Sequence, residues 1–316
     1  MLAVSVNVIN MLAITVETEN GQRHIRITPQ ELAGLVRRIG GENDEFLVVQ
    51  RIPDLPHVFI QVAHRTGGDY TLEYRDGAPD RHFQVILDGP EPVIAAMTGW
   101  ARMEDGWETG LGWVPLDLWP GQDPVLPLAL DDGNRERLEK RVRRSLVGGY
   151  ATRADLVELA EEYLVSGDSR PVSPEQARRL VDRMWVERVE EQSAWEGETD
   201  PDRLTRAFTA LEAAGITAQE DFTCCRSCGQ AEIGDVASPD ARGFVYFHSQ
   251  CTDAAADGHG LTILYGGFDG SPVTTTSIGR EVVAALGEAG LSVVWNGEPE
   301  QVITITPLDW RKRLVG

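Results

Sequence analysis

The chain has 316 residues, 42% of them hydrophobic and 25% charged, and a formal net charge of −21. That size and apolar share allow two or three domains with real cores and exclude a disordered chain. The negative charge is spread along the whole length, which weighs against DNA or RNA as a partner and would draw in a basic protein, although solubility is its simpler purpose.

The N-terminus, MLAVSVNVINMLAITVETEN, has no basic region ahead of its apolar run, and Asn7 and Asn10 interrupt it. It reads as strand, with no signal peptide and no membrane span. A cytoplasmic protein is the expectation, and there clustered cysteines point to metal or redox chemistry before disulfides.

Residues 12–18 and 23–27 alternate apolar and polar and predict two strands. Thr28 as N-cap with Glu31 three residues on forms a capping box, Pro29 suits the first turn, and Gly40-Gly41 closes the helix. FLVVQRI, HVFIQVAH, YTLEYRD and HFQVILD then read as strands divided by Pro, Gly and Asp turns, with a helix over Glu91–Arg102. His64 and His82 on these strands are sheet-face residues. Residues 1–125 are thus expected to form a small α+β sheet domain.

Trp100, Trp107, Trp113 and Trp119 follow in quick succession, interleaved with Glu104, Asp105, Glu108 and Asp117. Two readings stand. Large rings folding back onto the sheet would bury much apolar surface, and this is the favoured one. The other makes Trp107, Glu108, Trp113 and Asp117 the contact surface for a basic protein partner. The proline-rich stretch 115–127 reads as a linker.

Residues 126–200 are a linker and helical segment with three helical patterns, Thr152 and Ser173 serving as N-caps. The run Arg135–Arg144 alternates with Glu136 and Glu139, so it reads as an ion-paired face and not as the phosphate contact of a helix-turn-helix. From 201 to 316 a helix, the strands GFVYFH and LTILYGG, a helix with apolar positions Ile278, Val282, Val283 and Leu286, and a final strand pair make a mixed α/β sheet domain. The fold class is therefore α+β.

All four cysteines fall in this last part. Cys225, Cys228, His248 and Cys251 make a C-x2-C…H-x2-C arrangement suited to a structural tetrahedral zinc, with Cys224 as the alternate ligand. The Cys225–Cys228 pair could instead be redox-active, or the thiols could be buried and inert. His248 and Cys251 would face opposite sides of a strand unless a turn begins at Ser249. The loop Gly266–Ser271 lacks the lysine and glycine spacing of a phosphate-binding loop and reads as a strand-to-helix turn with Asp269 as a turn residue. Neither G-x-S-x-G nor H-E-x-x-H occurs, and no catalytic residue is assigned.

The run LTRAFTALEAAGITAQEDFTCCRSCGQAEIG, with ARGFVYFHSQ, GLTILYGGFDG, IGREVVAALGEAGLSVVWNG and ITPLDWRKRL, resembles a bacterial family known from actinobacteria as domain of unknown function 6891. The resemblance covers about residues 130–316 and implies a bacterial cytoplasmic protein. The N-terminal layout is loosely similar to immunity proteins of polymorphic toxin systems. The resulting expectation is a non-enzymatic, protein-binding chain in a defence or immunity setting; the alternative is a small-molecule-binding or enzymatic C-terminal domain with its site near the Cys225–Cys228 and Gly266–Ser271 loops.

Overall fold

The computed structural model describes residues 11–78, 80–116 and 126–314. The chain is α+β and divides into two compact units, the first taking Met1–Pro127 together with Leu314–Gly316 and the second Leu128–Arg313. Among the described residues no helix is long and apolar enough to cross a membrane.

The first unit holds β1 (Ile14–Thr18), β2 (Arg23–Ile25), α1 (Pro29–Arg38), β3 (Phe46–Arg51), β4 (Val58–His64), β5 (Tyr70–Asp76), β6 (His82–Leu87), α2 (Pro90–Ala101) and β7 (Val114–Pro115). Its strands form one antiparallel sheet in the order β2-β1-β3-β4-β5-β6-β7. The capping box at α1 is present: the Glu31 amide donates to Thr28 Oγ1, and the Thr28 amide donates to Glu31 Oε2. Pairing of Val49 with Ile60 and of Leu72 with Val62 and Val85 sets one face apolar, and α1 and α2 cover it with Leu32, Val36, Val93 and Met97. Each such side chain, fully buried, contributes about 1.5–3 kcal/mol.

The other face is polar at its centre. Glu73 accepts hydrogen bonds from Gln61 Nε2, Gln84 Nε2 and His82 Nε2, while Arg75 reaches His82 Nδ1. Burial, then the Arg75 charge, holds the His82 imidazole below its ordinary range, so the ring is neutral near pH 7. On the apolar face, His64 stacks on Tyr70.

The tryptophans plug the sheet. Trp100 is buried on α2 with the Arg51 guanidinium 4.2 Å above its ring. Trp107 and Trp113 stand nearly perpendicular to the Tyr74 ring with centroids 4.9 and 4.8 Å from it, and both pack on the apolar core. The approach needs Gly99, where a Cβ would come within 2.9 Å of Trp107 Cβ. Of the expected contact surface Glu108 is exposed and Trp107 and Trp113 are half-buried; Asp117 and Trp119 lie outside the described residues, as do residues 1–10 and most of the expected linker.

The second unit holds α3 (Asp132–Gly148), α4 (Arg153–Glu162), α5 (Pro174–Ser193), α6 (Asp200–Ala213), β8 (Ile216–Gln219), α7 (Arg226–Glu232), β9 (Gly243–Tyr246), α8 (Ser249–Ala256), β10 (Leu261–Gly267), α9 (Pro272–Glu288), β11 (Val293–Val294) and β12 (Ile303–Ile305). The sheet order is β11-β12-β10-β9-β8, and only β8 and β9 run parallel. Helices α6 and α9 pack on each other and on the sheet, whereas α8 packs between β10 and α3. The helical stretch thus shares a compact unit with the C-terminal sheet. The basic run of α3 is ion-paired: Arg141 and Arg144 meet Asp253 and Asp257 at the α8 end.

Trp107→Ala removes a half-buried ring from the first unit and should lower the urea unfolding free energy by about 2 kcal/mol. Unchanged stability would mean that the ring is a free contact surface after all.

Candidate metal centre

The site is built where the parallel pair β8 and β9 ends. Pairing continues beyond the strands: the Phe247 amide donates to Gln219 O, Phe222 to Phe247 O and Ser249 to Thr223 O, while Ser249 Oγ donates to Cys224 O. Both chain ends therefore leave the sheet side by side. Asp221 and Thr223 adopt φ of 50° and 60° between these bonds, a left-handed conformation that costs each of them about 1 kcal/mol or more. Those two twists turn the chain so that Cys224 and Cys225 precede α7, with Cys225 at its N-cap.

Tyr246 fixes where α7 lies. Its hydroxyl donates to Arg226 O at 3.1 Å, and its ring fills the space that a Cβ at Gly229 would need. Cys228 then comes round on the first turn. Its sulfur stands 3.5 Å from Cys224 Sγ and 3.6 Å from Cys225 Sγ, and all three sulfurs lie within 4.8 Å of one another. A zinc ion with tetrahedral ligands at about 2.3 Å separates neighbouring sulfurs by about 3.8 Å, so the triad is already close to one face of such a tetrahedron.

In the metal-free protein the thiols titrate unequally. The Ser227 hydroxyl, then the Cys228 amide and the neighbouring thiols, pull Cys225 down to about 6. Hydrogen bonds with Cys224 and Cys225, and then their negative charge, push Cys228 up to about 12. One sulfur is thus a thiolate at neutral pH, and Cys228 keeps its proton until a cation displaces it.

His248 and Cys251 are placed differently from Cys225 and Cys228. A helix does begin at Ser249, with His248 as its N-cap and Cys251 on its first turn. Both side chains are buried, and Cys251 Sγ is 3.6 Å from Nδ1 and 3.5 Å from Nε2, nearly equidistant, so it lies along neither nitrogen's bonding direction. Burial lowers the His248 pKa and raises that of Cys251, which leaves a neutral ring beside a neutral thiol. Of the expected set Cys225, Cys228, His248 and Cys251, the structure groups the first two with Cys224; among the described residues, His248 and Cys251 stand outside that group.

Beside the cysteine loop lies a small cleft of about 70 Å³, lined by Arg141, Tyr150, Asp221, Ser249, Thr252 and Asp253 among others. Thr252 Oγ1 donates to Asp221, and Tyr150 OH and Lys312 Nζ both donate to Glu220 Oε2. Burial, partly offset by Thr252, raises the Asp221 pKa. Sequence reasoning missed this polar cluster, whose members come from four separate stretches of chain. The loop Gly266–Ser271 is elsewhere. Gly267 pairs with Gly243 at the start of β9, while the cysteine loop follows the far end of its parallel partner. Asp269 accepts from the Ser271 amide and from the Thr274 hydroxyl and is a capping turn residue.

A family model described as domain of unknown function (DUF6891) matches residues 131–314, nearly the whole of the second unit. No curated protein and no solved structure matches the chain.

Because the thiolate is the nucleophile, alkylation of Cys225 in metal-free protein should rise as pH passes through about 6 and level off near neutrality, while Cys251 stays unmodified. Short iodoacetamide pulses with peptide mapping read this directly. Labelling that reaches Cys251 first would contradict the assigned environments.

Proposed function

The chain belongs to the domain of unknown function (DUF6891) family, and we propose that the unit matched by that family is a zinc-holding module whose metal keeps one position open. The observation that carries the reading is the grouping of Cys224, Cys225 and Cys228 within 4.8 Å. Thiolates are preferred zinc ligands, and three protein ligands with a fourth position left to water or an incoming donor is the pattern of exchanging and catalytic sites, whereas structural sites close all four. Partial exposure of the triad fits the same pattern: Cys224 is exposed and its two neighbours are half-buried. A net charge of −21 raises the local concentration of cations and favours capture of a divalent ion.

The chemistry of the open position would be to polarise a bound oxygen or to accept an outside ligand. Cys224, Cys225 and Cys228 hold the ion, Tyr246 and Gly229 set the helix that carries Cys228, and the Asp221 cleft offers a polar wall nearby. We place the protein in the bacterial cytoplasm, where the thiols stay reduced. Its acid surface suits a basic protein partner, and the layout of the first unit keeps a toxin-immunity setting within the proposal. The tryptophans support the sheet, so the partner surface is acidic side chains such as Glu108 and not the rings.

Metal analysis of protein purified without chelators tests the central reading. Wild type and Cys251→Ser should each carry one zinc per chain, and Cys228→Ser should carry none. Zinc retained in Cys228→Ser, or lost only in Cys251→Ser, would overturn it.

A further inference from the structure

The three sulfurs are close enough to do more than hold an ion, and this inference deepens the zinc-holding reading on which it rests. Cys225 and Cys228 sit at the N-cap and in the first turn of α7, their sulfurs 3.6 Å apart. A covalent S–S bond needs about 2.05 Å, a gap that side-chain rotation within one helical turn can close. A bond between the adjacent Cys224 and Cys225 would instead close a small ring containing a planar trans peptide, which is strained. Cys251 takes no part, since it is buried beside His248 outside the group. The triad is reachable by a small molecule from solvent, and Ser227 Oγ, 3.2 Å from Cys225 Sγ, puts a hydrogen-bond donor at the sulfur an oxidant would meet.

We propose that Cys225 and Cys228 are a reversible oxidation site for small hydroperoxides, and that closing their disulfide releases the metal. The Cys225 sulfur attacks the terminal peroxide oxygen; the O–O bond breaks, the alkoxide leaves and takes a proton from water, and Cys225 becomes a sulfenic acid. The Cys228 sulfur then attacks the Cys225 sulfur, the S–O bond breaks, and hydroxide departs as water after protonation. Two thiolates, one hydroperoxide and two protons thus give one disulfide, one alcohol and one water, a two-electron oxidation of sulfur. Zinc is left with Cys224 alone and dissociates, because a disulfide sulfur is no longer a thiolate ligand. A dithiol reductant restores both thiols and the binding site.

The test treats zinc-loaded full-length protein with hydrogen peroxide and follows zinc with a chromogenic chelator, the disulfide by intact mass and peptide mapping, and recovery after dithiothreitol. The expected result is one Cys225–Cys228 disulfide, zinc release in step with it, and reversal on reduction, all unchanged in Cys251→Ser and the Cys225–Cys228 bond lost in Cys225→Ser. Parallel oxidation of metal-free protein, read by mass alone, separates the two readings. A disulfide there in a protein that never binds zinc would sink the metal reading and leave the oxidation site standing. Zinc and free thiols that both survive peroxide, or a disulfide mapped to Cys224–Cys228, would overturn the present inference and leave the metal reading intact.

Discussion

The second unit depends on two strands continuing to pair after their regular structure has ended. From Gln219 to Thr223 on one side and Phe247 to Ser249 on the other, backbone bonds tie the two outgoing chains together. Each bond is worth only about 1 kcal/mol net, but together they fix where α7 and α8 begin. An error of one residue at either start would rotate the first turn by about 100° and scatter the sulfurs. The positive φ angles of Asp221 and Thr223 are the local cost of that placement. In sheets with parallel strands, sites gather outside the carboxyl ends for this reason: the strands deliver several loops to one spot.

That placement sorts the cysteines into two environments. Cys251 and His248 are buried apart from the other three sulfurs, and burial keeps the Cys251 thiol protonated, which is the form that does not bind a cation. Cys224 is exposed and Cys225 and Cys228 are half-buried, where negative charge is tolerated and the Cys225 sulfur is pulled down to about 6. The same proximity that suits a metal suits a disulfide. On the proposed reading, metal binding and oxidation would compete for the same electron pairs, and the occupied state of the site would follow the redox state around it.

The sequence made the regular elements readable where periodicity and caps agree. Thr28 with Glu31 marks a helix start because both halves of a capping box are local, and the N-caps Thr152 and Ser173 mark two more. The alternating strands of the first unit were legible for a similar reason, since one face must be apolar. Helices α7 and α8, with 7 and 8 residues, are too short to show a period, so the ligand-bearing loop looked like plain loop and strand end. Zinc-like spacing drew attention to Cys225 and Cys228, whose sulfurs do lie together with that of Cys224, but spacing carries no direction. Only the turn at Ser249 decides that His248 and Cys251 point inward, and only strand direction places Gly266–Ser271 at the opposite end from the cysteines. The cluster of Tyr150, Glu220, Asp221, Thr252 and Lys312 has no sequence signal, because tertiary packing alone assembles it.

X-ray absorption at the zinc edge of the loaded protein asks most directly which side chains hold the ion. Three sulfur scatterers at about 2.3 Å with one oxygen or nitrogen neighbour at about 2.0 Å, and no imidazole outer shell, is the predicted spectrum. An imidazole signature, which would place His248 on the metal, would contradict the account.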